Sequence, residues 1–237
     1  MEQELKQRGD ILDRNILVSM IDHAALKPDD TDEWVAKQCQ IALKYGVSTI
    51  CVKPCHVAMA TDILKDTYIK VSTVIGFPHG STTTACKVFE ANEAINNGAL
   101  ELDMVLNIGK LLSGDYDYVK YDIEKVALAV HERKALLKVI IETSLLTDEQ
   151  KIRACTLAKE AGADFLKTST GFNGSGATLK DISIMKGAGG EDMKIKASGG
   201  IKTFEQAVKF IEAGCSRIGT SSTISIAEGK SNNISKI

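Results

Sequence analysis

The feature that most constrains the fold is a regular alternation of short apolar runs with longer segments of helical periodicity. Eight runs rich in apolar and β-branched residues have the pattern of strands, and each is followed by a segment with the spacing of an amphipathic helix. The runs are 18–23, 47–52, 69–75, 100–106, 136–142, 163–171, 193–198 and 216–221, and the helical segments are 34–45, 56–65, 82–96, 116–133, 148–161, 179–186, 203–213 and 222–228. This alternation with short connections predicts a parallel sheet.

Eight strand–helix units predict that the sheet closes into a (β/α)8 barrel of the TIM type. An open, doubly wound sheet is the alternative, but no G-x-G-x-x-G motif follows the first strand, so dinucleotide binding has no local support. No proline- or serine-rich linker interrupts the 237 residues. We therefore expect a single domain over residues 1–237, with an N-terminal extension to about residue 15 and a flexible tail from about residue 229.

Composition narrows the class of function. The net charge is −2 and no basic run is interleaved with aromatic residues, which argues against nucleic acid or an anionic membrane as a partner. No apolar run approaches the roughly 18 residues of a membrane span, and the polar start is not a secretory signal. The six cysteines form no C-x-x-C pair, which favours reduced thiols. We expect a cytoplasmic protein that acts on small molecules.

Lys167 lies within the sixth apolar run, which ends in a glycine turn. Burying an ammonium group is costly unless the group is paired or neutralised. Lysine is also the side chain that forms Schiff bases once its pKa is lowered. For a lone lysine, the alternative is a strand-edge residue that reaches solvent.

Three further charged residues fall near the C-terminal ends of predicted strands, where TIM barrels carry their reactive groups: Asp22, Asp103 and Lys196. Adjacent strands lie about 4.8 Å apart, so Lys167 and Lys196 are expected to crowd each other and to disfavour each other's charge. We expect Asp103 to pair with Lys196, which leaves Lys167 as the neutral nucleophile. The alternative is a buried Lys–Asp–Lys ion network without chemistry.

Turns rich in glycine and hydroxyl residues follow the last two predicted strands. TIM barrels often hold phosphate at these two places, where backbone N–H groups and a helix N-terminus favour an anion. The turns therefore predict a phosphate site, although a plain tight turn explains Gly171 equally well. The candidate residues are Gly171, Ser198, Gly199, Gly200, Gly219, Thr220 and Ser221.

The remaining polar candidates carry little functional signal. Lys138 and Glu142 share a face of the fifth strand and are left unassigned, as pocket wall or as an ion pair. Lys194 is expected to reach solvent from the strand entrance, and Lys53 to be a solvated loop lysine. No metal site or other cofactor is expected, because the four histidines lie in different units without H-x-H or H-E-x-x-H spacing: His23, His56, His79 and His131.

Five stretches of the chain carry a family pattern: I-D-H with L-K-P within 21–28, E-L-D-M-V at 101–105, L-K-V-I-I-E-T at 137–143, F-L-K-T-S-T-G-F at 165–172 and K-A-S-G-G-I at 196–201. Together they resemble the deoxyribose-phosphate aldolase family, over about residues 22–222. The resemblance implies a metal-free class I aldolase on a (β/α)8 barrel. Such an enzyme interconverts 2-deoxy-D-ribose 5-phosphate with D-glyceraldehyde 3-phosphate and acetaldehyde.

The resemblance also implies roles for the polar residues. Lys167 would form the Schiff base, and Asp103 would act through a water as the acid/base. Lys196 would hold Asp103, lower the pKa of Lys167 and join Asp22 in a proton relay. The two glycine turns would hold the 5-phosphate, and the assembly would be a homodimer or a tetramer.

Two departures from the family pattern affect the relay. Ala24 stands where the family usually has a threonine, and the tail over 233–237 lacks the C-terminal tyrosine that some members use in proton transfer. Two other functions compete with the aldolase reading. One is a transaldolase-like enzyme that acts on ketoses, and the other is a phosphate-binding barrel in which Lys167 only forms an ion pair.

Overall fold

The computed structural model describes residues 14–229. The N-terminal extension and the flexible tail expected from the sequence lie outside this range, apart from residues 14, 15 and 229. The strands are β1 (Ile21–Ala25), β2 (Thr49–Val52), β3 (Lys70–Ile75), β4 (Glu101–Val105), β5 (Leu136–Ile140), β6 (Phe165–Lys167), β7 (Lys194–Ser198) and β8 (Arg217–Thr220).

Helices follow the strands along the chain, and two short 3₁₀ turns lie at Pro54–His56 and Thr143–Leu145. The helices are α1 (Arg14–Val18), α2 (Asp32–Tyr45), α3 (Val57–Leu64), α4 (Thr84–Asn96), α5 (Ile108–Leu112), α6 (Tyr116–Glu132), α7 (Asp148–Glu160), α8 (Leu179–Gly189), α9 (Phe204–Glu212) and α10 (Thr223–Glu228). Among residues 14–229, none of them is both long enough and apolar enough for a membrane span.

The eight strands form one closed parallel sheet in sequence order. Closure is made between the first and last strands, where Asp22 pairs with Gly219 and His23 with Thr220. The predicted (β/α)8 barrel is therefore confirmed. Closure brings the C-terminal ends of all eight strands to one end of the barrel, so that the polar residues expected there share one interior.

Three local features differ from the sequence-based expectation. Strand β1 begins at Ile21 rather than at residue 18, because the preceding apolar residues belong to α1. Strand β6 ends at Lys167, earlier than expected; beyond it the Thr168 hydroxyl donates to Ser198 O and accepts from Ser198 N–H. The short helix α5 was not predicted; the Asn107 side chain caps it by accepting from Lys110 N–H.

Alternation along the strands separates an apolar layer from a polar one. The outward side chains of Leu102, Val139, Leu166 and Ile195 are fully buried in the hydrophobic cluster beneath the helices. Their inward neighbours include charged residues, such as Asp103. The hydrophobic core therefore lies between barrel and helices, and the barrel interior is left for polar groups.

Candidate active site

Lys167 is the last residue of β6, and the strand register places it opposite Lys196 on β7. Its Nζ donates a hydrogen bond of 2.8 Å to Asp103 Oδ2 on β4. The Lys167 side chain is only 4% exposed. The lysine therefore points into the barrel and does not reach bulk solvent.

Lys196 approaches the same carboxylate oxygen. Its Nζ donates to Asp103 Oδ2 over 2.7 Å and also pairs with Asp22 Oδ2. On its other oxygen, Asp22 accepts from Thr49 Oγ1 at 2.8 Å and from Arg217 Nη1 at 2.6 Å. The structure thus brings together the four residues expected to react, with two lysine nitrogens crowded around one oxygen of Asp103.

Lys138 lies deeper in the barrel and is fully buried. Its Nζ donates to Asp103 Oδ1 over 2.9 Å and lies 2.7 Å from Glu101 Oε2, which in turn lies 3.1 Å from Arg217 Nη1. Lys138 is therefore an ion-pair residue, but its partners lie on neighbouring strands, and no ion pair with Glu142 is formed among the described residues. Arg217 is an addition that the sequence did not single out.

The barrel interior contains one more basic group than carboxylates. The basic groups are Lys138, Lys167, Lys196 and Arg217, and the carboxylates are Asp22, Glu101 and Asp103. If all seven were ionised, the buried cluster would carry an uncompensated positive charge, which a low-dielectric interior disfavours. The neutral form of one lysine removes this excess.

Lys167 and Lys196 differ in how well their surroundings compensate a positive charge. Burial lowers the pKa of Lys167, the single carboxylate of Asp103 opposes this shift, and the positive charge of Lys196 adds to it. Burial also acts against the charge of Lys196, but Asp103 and Asp22 together raise the pKa of that lysine. Lys167 therefore has the weaker compensation of the two, and its charged form is the less stabilised one.

Asp103 remains ionised in this arrangement. Burial alone would raise the pKa of its carboxyl group, but Lys138, Lys167 and Lys196 hold that pKa well below its usual range. The carboxylate uses one oxygen for Lys138 and shares the other between the two remaining lysines.

A cavity of about 540 Å³ opens above Lys167 at the C-terminal ends of the strands. Lys167, Lys196 and Asp22 lie at its floor, and all seven residues predicted to bind phosphate line its wall. The volume lies within the range of small-molecule sites, about 300–1,000 Å³. The buried amine is therefore accessible to a small ligand although it is shielded from bulk water.

The phosphate candidates differ in what they offer a ligand. The Ser198 and Thr220 hydroxyls already donate to backbone carbonyls, at Ser169 and Ile201. Gly219 provides space, because a Cβ there would lie 2.9 Å from Lys196 Cε. Within residues 14–229, the N–H groups of Gly171, Gly199, Gly200 and Ser221 donate to no other residue. These backbone groups are the best donors for an anion at the wall.

The residue range 16–223 matches the family model described as DeoC/LacD family aldolase. The chain belongs to this aldolase family. It is 55% identical over 218 residues to a deoxyribose-phosphate aldolase of Thermococcus gammatolerans, covering 91% of this chain and 97% of that protein. It is 52% identical over 219 residues to one of Clostridium kluyveri, covering 92% of this chain and all of that protein.

Solved structures of the family have the same architecture. A putative deoxyribose-phosphate aldolase from Coccidioides immitis superposes with a TM-score of 0.88 at 42% identity, over 91% of this chain and 85% of that one. An aldolase from Aeropyrum pernix, described as having a unique tetrameric structure, superposes with a TM-score of 0.86 at 30% identity, over 96% and 95% of the two chains. The family assignment made from five sequence stretches is confirmed.

Three of the four histidines have separate structural partners. His23 lies in the cavity wall, where Gln38 Oε1 accepts from its Nε2 over 2.9 Å and Thr223 Oγ1 lies 2.8 Å from its Nδ1; burial lowers the pKa of His23 to about 4. His56 and His131 each contact an aspartate. Among the described residues, no three His, Cys, Asp or Glu side chains form a group that could hold a metal ion.

Two lysines that were set aside have distinct environments. Lys194 is exposed, as expected, with its Nζ 5.4 Å from the centre of the Phe165 ring. Lys53 is not simply solvated, because its Nζ donates to three backbone carbonyls in the loop after β1: Lys27 O, Pro28 O and Asp30 O. That loop borders the cavity, so Lys53 stabilises part of the cavity rim.

Proposed function

We propose that this chain cleaves 2-deoxy-D-ribose 5-phosphate reversibly to D-glyceraldehyde 3-phosphate and acetaldehyde through a Schiff base on Lys167. The observation that carries the proposal is the position of this lysine. It lies at the floor of a substrate-sized cavity and shares one oxygen of Asp103 with Lys196. Family membership and relatives of more than 50% identity support the same substrate.

The reaction begins with the neutral amine of Lys167. Its nitrogen attacks the C1 aldehyde of the open-chain sugar, and loss of water gives a protonated Schiff base. An ammonium group has no lone pair for this attack, so the lowered pKa of Lys167 increases the fraction of the reactive free amine.

Carbon–carbon cleavage follows from the electron demand of the iminium. A base removes the proton of the C3 hydroxyl, C3 becomes the aldehyde carbon of glyceraldehyde 3-phosphate, and the electron pair of the C2–C3 bond passes to the iminium to give an enamine. Asp103, acting through a water, is the acid/base at this step. Protonation of the enamine at C2 and hydrolysis of the iminium release acetaldehyde and restore Lys167.

Lys196 and Asp22 support this chemistry from the next strands. Lys196 stays charged between two carboxylates, holds Asp103 in place and lowers the pKa of Lys167. Asp22 completes the relay by exchanging a proton through Lys196. Ala24 lines the cavity without a hydroxyl, so the relay in this chain runs through the charged groups.

The 5-phosphate occupies the cavity wall formed by the turns after β7 and β8, together with Gly171. Backbone N–H groups bind the anion there, and Gly219 leaves room for Lys196. Binding at the wall anchors one end of the sugar and presents C1 to Lys167 at the floor.

The remaining expectations concern partners, domain limits and location. Small sugar phosphates and aldehydes are the partners, and nucleic acid and membranes are not. The chain is a single domain that assembles as a homodimer or a tetramer, and a structural relative described as tetrameric supports self-association. Sedimentation analysis would distinguish the two assemblies. A cytoplasmic location remains a prediction.

The test is turnover with the purified protein. We expect acetaldehyde to be released from 2-deoxy-D-ribose 5-phosphate in equal amount to glyceraldehyde 3-phosphate, without added metal and in the presence of a chelator. Release of dihydroxyacetone-containing products from a ketose phosphate, with none from the deoxy sugar, would instead indicate a transaldolase-like enzyme. Phosphate binding without any turnover would indicate a non-catalytic barrel.

A further inference from the structure

Glu142 is a buried carboxylate that the proposed mechanism does not use. It follows β5, is fully buried, and has no cationic group within 4 Å of its oxygens among the described residues. Its backbone is left-handed, with φ 55° and ψ 66°. A buried unpaired charge and a left-handed backbone at a non-glycine residue both cost free energy, and such features cluster at functional sites.

In the part of the chain that the structure describes, the hydrogen bonds of this carboxylate all go to one segment, the loop that follows Lys167. Glu142 accepts from the Thr170 backbone N–H at 3.2 Å, from the Thr170 hydroxyl, and from Asn173 Nδ2 at 3.1 Å. Every partner is a donor. An ionised carboxylate, which only accepts, suits this set, whereas an amide would turn an N–H₂ group towards one of these donors.

The Thr170 hydroxyl transmits this anchoring to the next residues. It donates to Glu142 and accepts from Phe172 N–H at 3.1 Å, which closes a turn with Gly171 at its centre. Gly171 has φ 84° and lines the cavity, and its N–H donates to no other residue within 14–229. The direction of the Gly171 N–H is therefore fixed by the bond between Thr170 and Glu142.

Phe172 extends the effect to the mouth of the cavity. Its ring packs edge-on against Phe77, with 5.2 Å between the ring centres. Both Phe172 and Gly171 line the cavity. The anchored turn thus fixes one polar and one apolar part of the wall.

We propose that Glu142 is the positioning residue for the phosphate end of the site: it holds the Thr170–Phe172 turn so that Gly171 N–H points at the phosphate of the substrate. The inference rests on the proposed function, because it assumes a sugar phosphate with its reactive carbon at Lys167. It assigns the catalytic lysine to the end of β6 and an anion donor to the turn that follows.

The experiment compares substrates with and without phosphate. For Glu142→Gln we expect the KM for 2-deoxy-D-ribose 5-phosphate and the inhibition constant of inorganic phosphate to rise by about 10-fold each, the size of one charge-assisted hydrogen bond. The kcat/KM for unphosphorylated 2-deoxy-D-ribose and the rate of acetaldehyde trapping on Lys167 by borohydride should stay within about twofold. The matched control is Glu160→Gln, which replaces an exposed glutamate on α7 and should change none of these four quantities.

Two further variants separate the carboxylate from the backbone. Glu142→Gly relaxes the left-handed residue but removes the acceptor, so the KM should rise at least as much as in Glu142→Gln. Thr170→Val keeps the shape of the turn and removes the connecting hydroxyl, so it should raise the same KM. This variant provides the test if the glutamate variants do not fold. An equal loss of kcat/KM for the phosphorylated and the unphosphorylated sugar, or no change for either, would overturn the proposal. Absence of turnover and of a Lys167 adduct in the unmodified protein would instead refute the proposed function itself.

Discussion

Lys167 and Lys87 are both buried lysines that donate to an aspartate, but they lie in different parts of the molecule. Lys167 is inside the barrel, whereas Lys87 lies outside it, on α4, where its Nζ contacts Asp122 of α6 and Val105 O. Burial lowers the pKa of both lysines. A lowered pKa therefore does not by itself identify the lysine that reacts.

Two differences distinguish the sites. Within residues 14–229, Asp122 has one lysine partner, and its second oxygen accepts from Thr84 Oγ1, so the pair is balanced. Asp103 is shared by three lysines in a cluster with an excess of basic groups. Lys167 also lines the cavity, while Lys87 is not among the cavity residues of the described chain. Crowding by a second cation and access to the cavity together distinguish Lys167, the proposed nucleophile, from Lys87.

The largest expected difference is in turnover. Lys167→Leu removes the nucleophile and should lower kcat by more than about 10³-fold, the scale seen when a nucleophile is deleted. Calorimetry should still detect phosphate binding, since the wall of the cavity is unchanged. Lys87→Leu should retain kcat within about twofold per folded molecule. A comparable loss in both variants would remove the distinction between the two lysines.

Stability should be more sensitive than turnover to the loss of Lys87. Lys87→Met leaves the carboxylate of Asp122 buried without its cation and should lower the free energy of unfolding by about 3–5 kcal/mol, as for other broken buried pairs. Urea unfolding monitored by circular dichroism measures this loss. Replacing both partners, with Lys87→Met and Asp122→Leu, should recover much of it. Removal of the exposed pair Lys120–Glu160 should cost less than about 1 kcal/mol.

Substitutions of Asp103 and Asp122 should differ in their effect on turnover. Asp103→Asn removes the acid/base group and should lower kcat by about 10²–10⁴-fold. Because Asp103 favours the charged form of Lys167, the amine should remain neutral in this variant and still form an adduct with acetaldehyde. Asp122→Asn should leave kcat within about twofold. Loss of the adduct in Asp103→Asn would contradict the separation of Schiff-base formation from bond cleavage.

A smaller effect concerns the pH dependence. Lys196→Gln removes the neighbouring positive charge that lowers the pKa of Lys167, so that pKa should rise. Lys167 reacts as the free amine, above its pKa, and the acidic limb of the profile of kcat/KM against pH should therefore move about one unit to higher pH. Lys87 variants should leave the limb in place. A shift to lower pH in Lys196→Gln would mean that Lys196 acts mainly through Asp103.

The sequence was sufficient for the fold and for the centre of the site. Asp103 and Lys196 fell near the C-terminal ends of predicted strands, and eight strand–helix units predicted closure, so the crowding of Lys167 by Lys196 followed from strand spacing. The ion pair of Lys138 was less accessible to prediction. Which residues of β4 and β5 lie opposite each other depends on the stagger of the closed barrel, where Asp103 pairs with Lys138.

Other features have no local signal in the sequence. The left-handed backbone of Glu142 is unusual for glutamate, and only the contacts of the folded loop show why it is tolerated. The hydroxyls of Ser198 and Thr220 pointed to an anion site, but both stabilise the fold by bonding carbonyls of neighbouring loops. Gly219 leaves space for the Lys196 side chain, because a Cβ at Gly219 would lie 2.9 Å from Lys196 Cε. No pattern within β8 indicates this contact between strands.

The most direct test of the account is borohydride trapping with acetaldehyde across pH, read by peptide mass spectrometry. The amine condenses with the aldehyde, and hydride reduces the imine to a stable ethyl group on the lysine. We expect the adduct on Lys167, absent from Lys87 and Lys196, with trapping half-maximal clearly below the ordinary lysine pKa of about 10.4. An adduct on another lysine, or a midpoint at the ordinary value, would contradict the claim that crowding keeps this amine neutral.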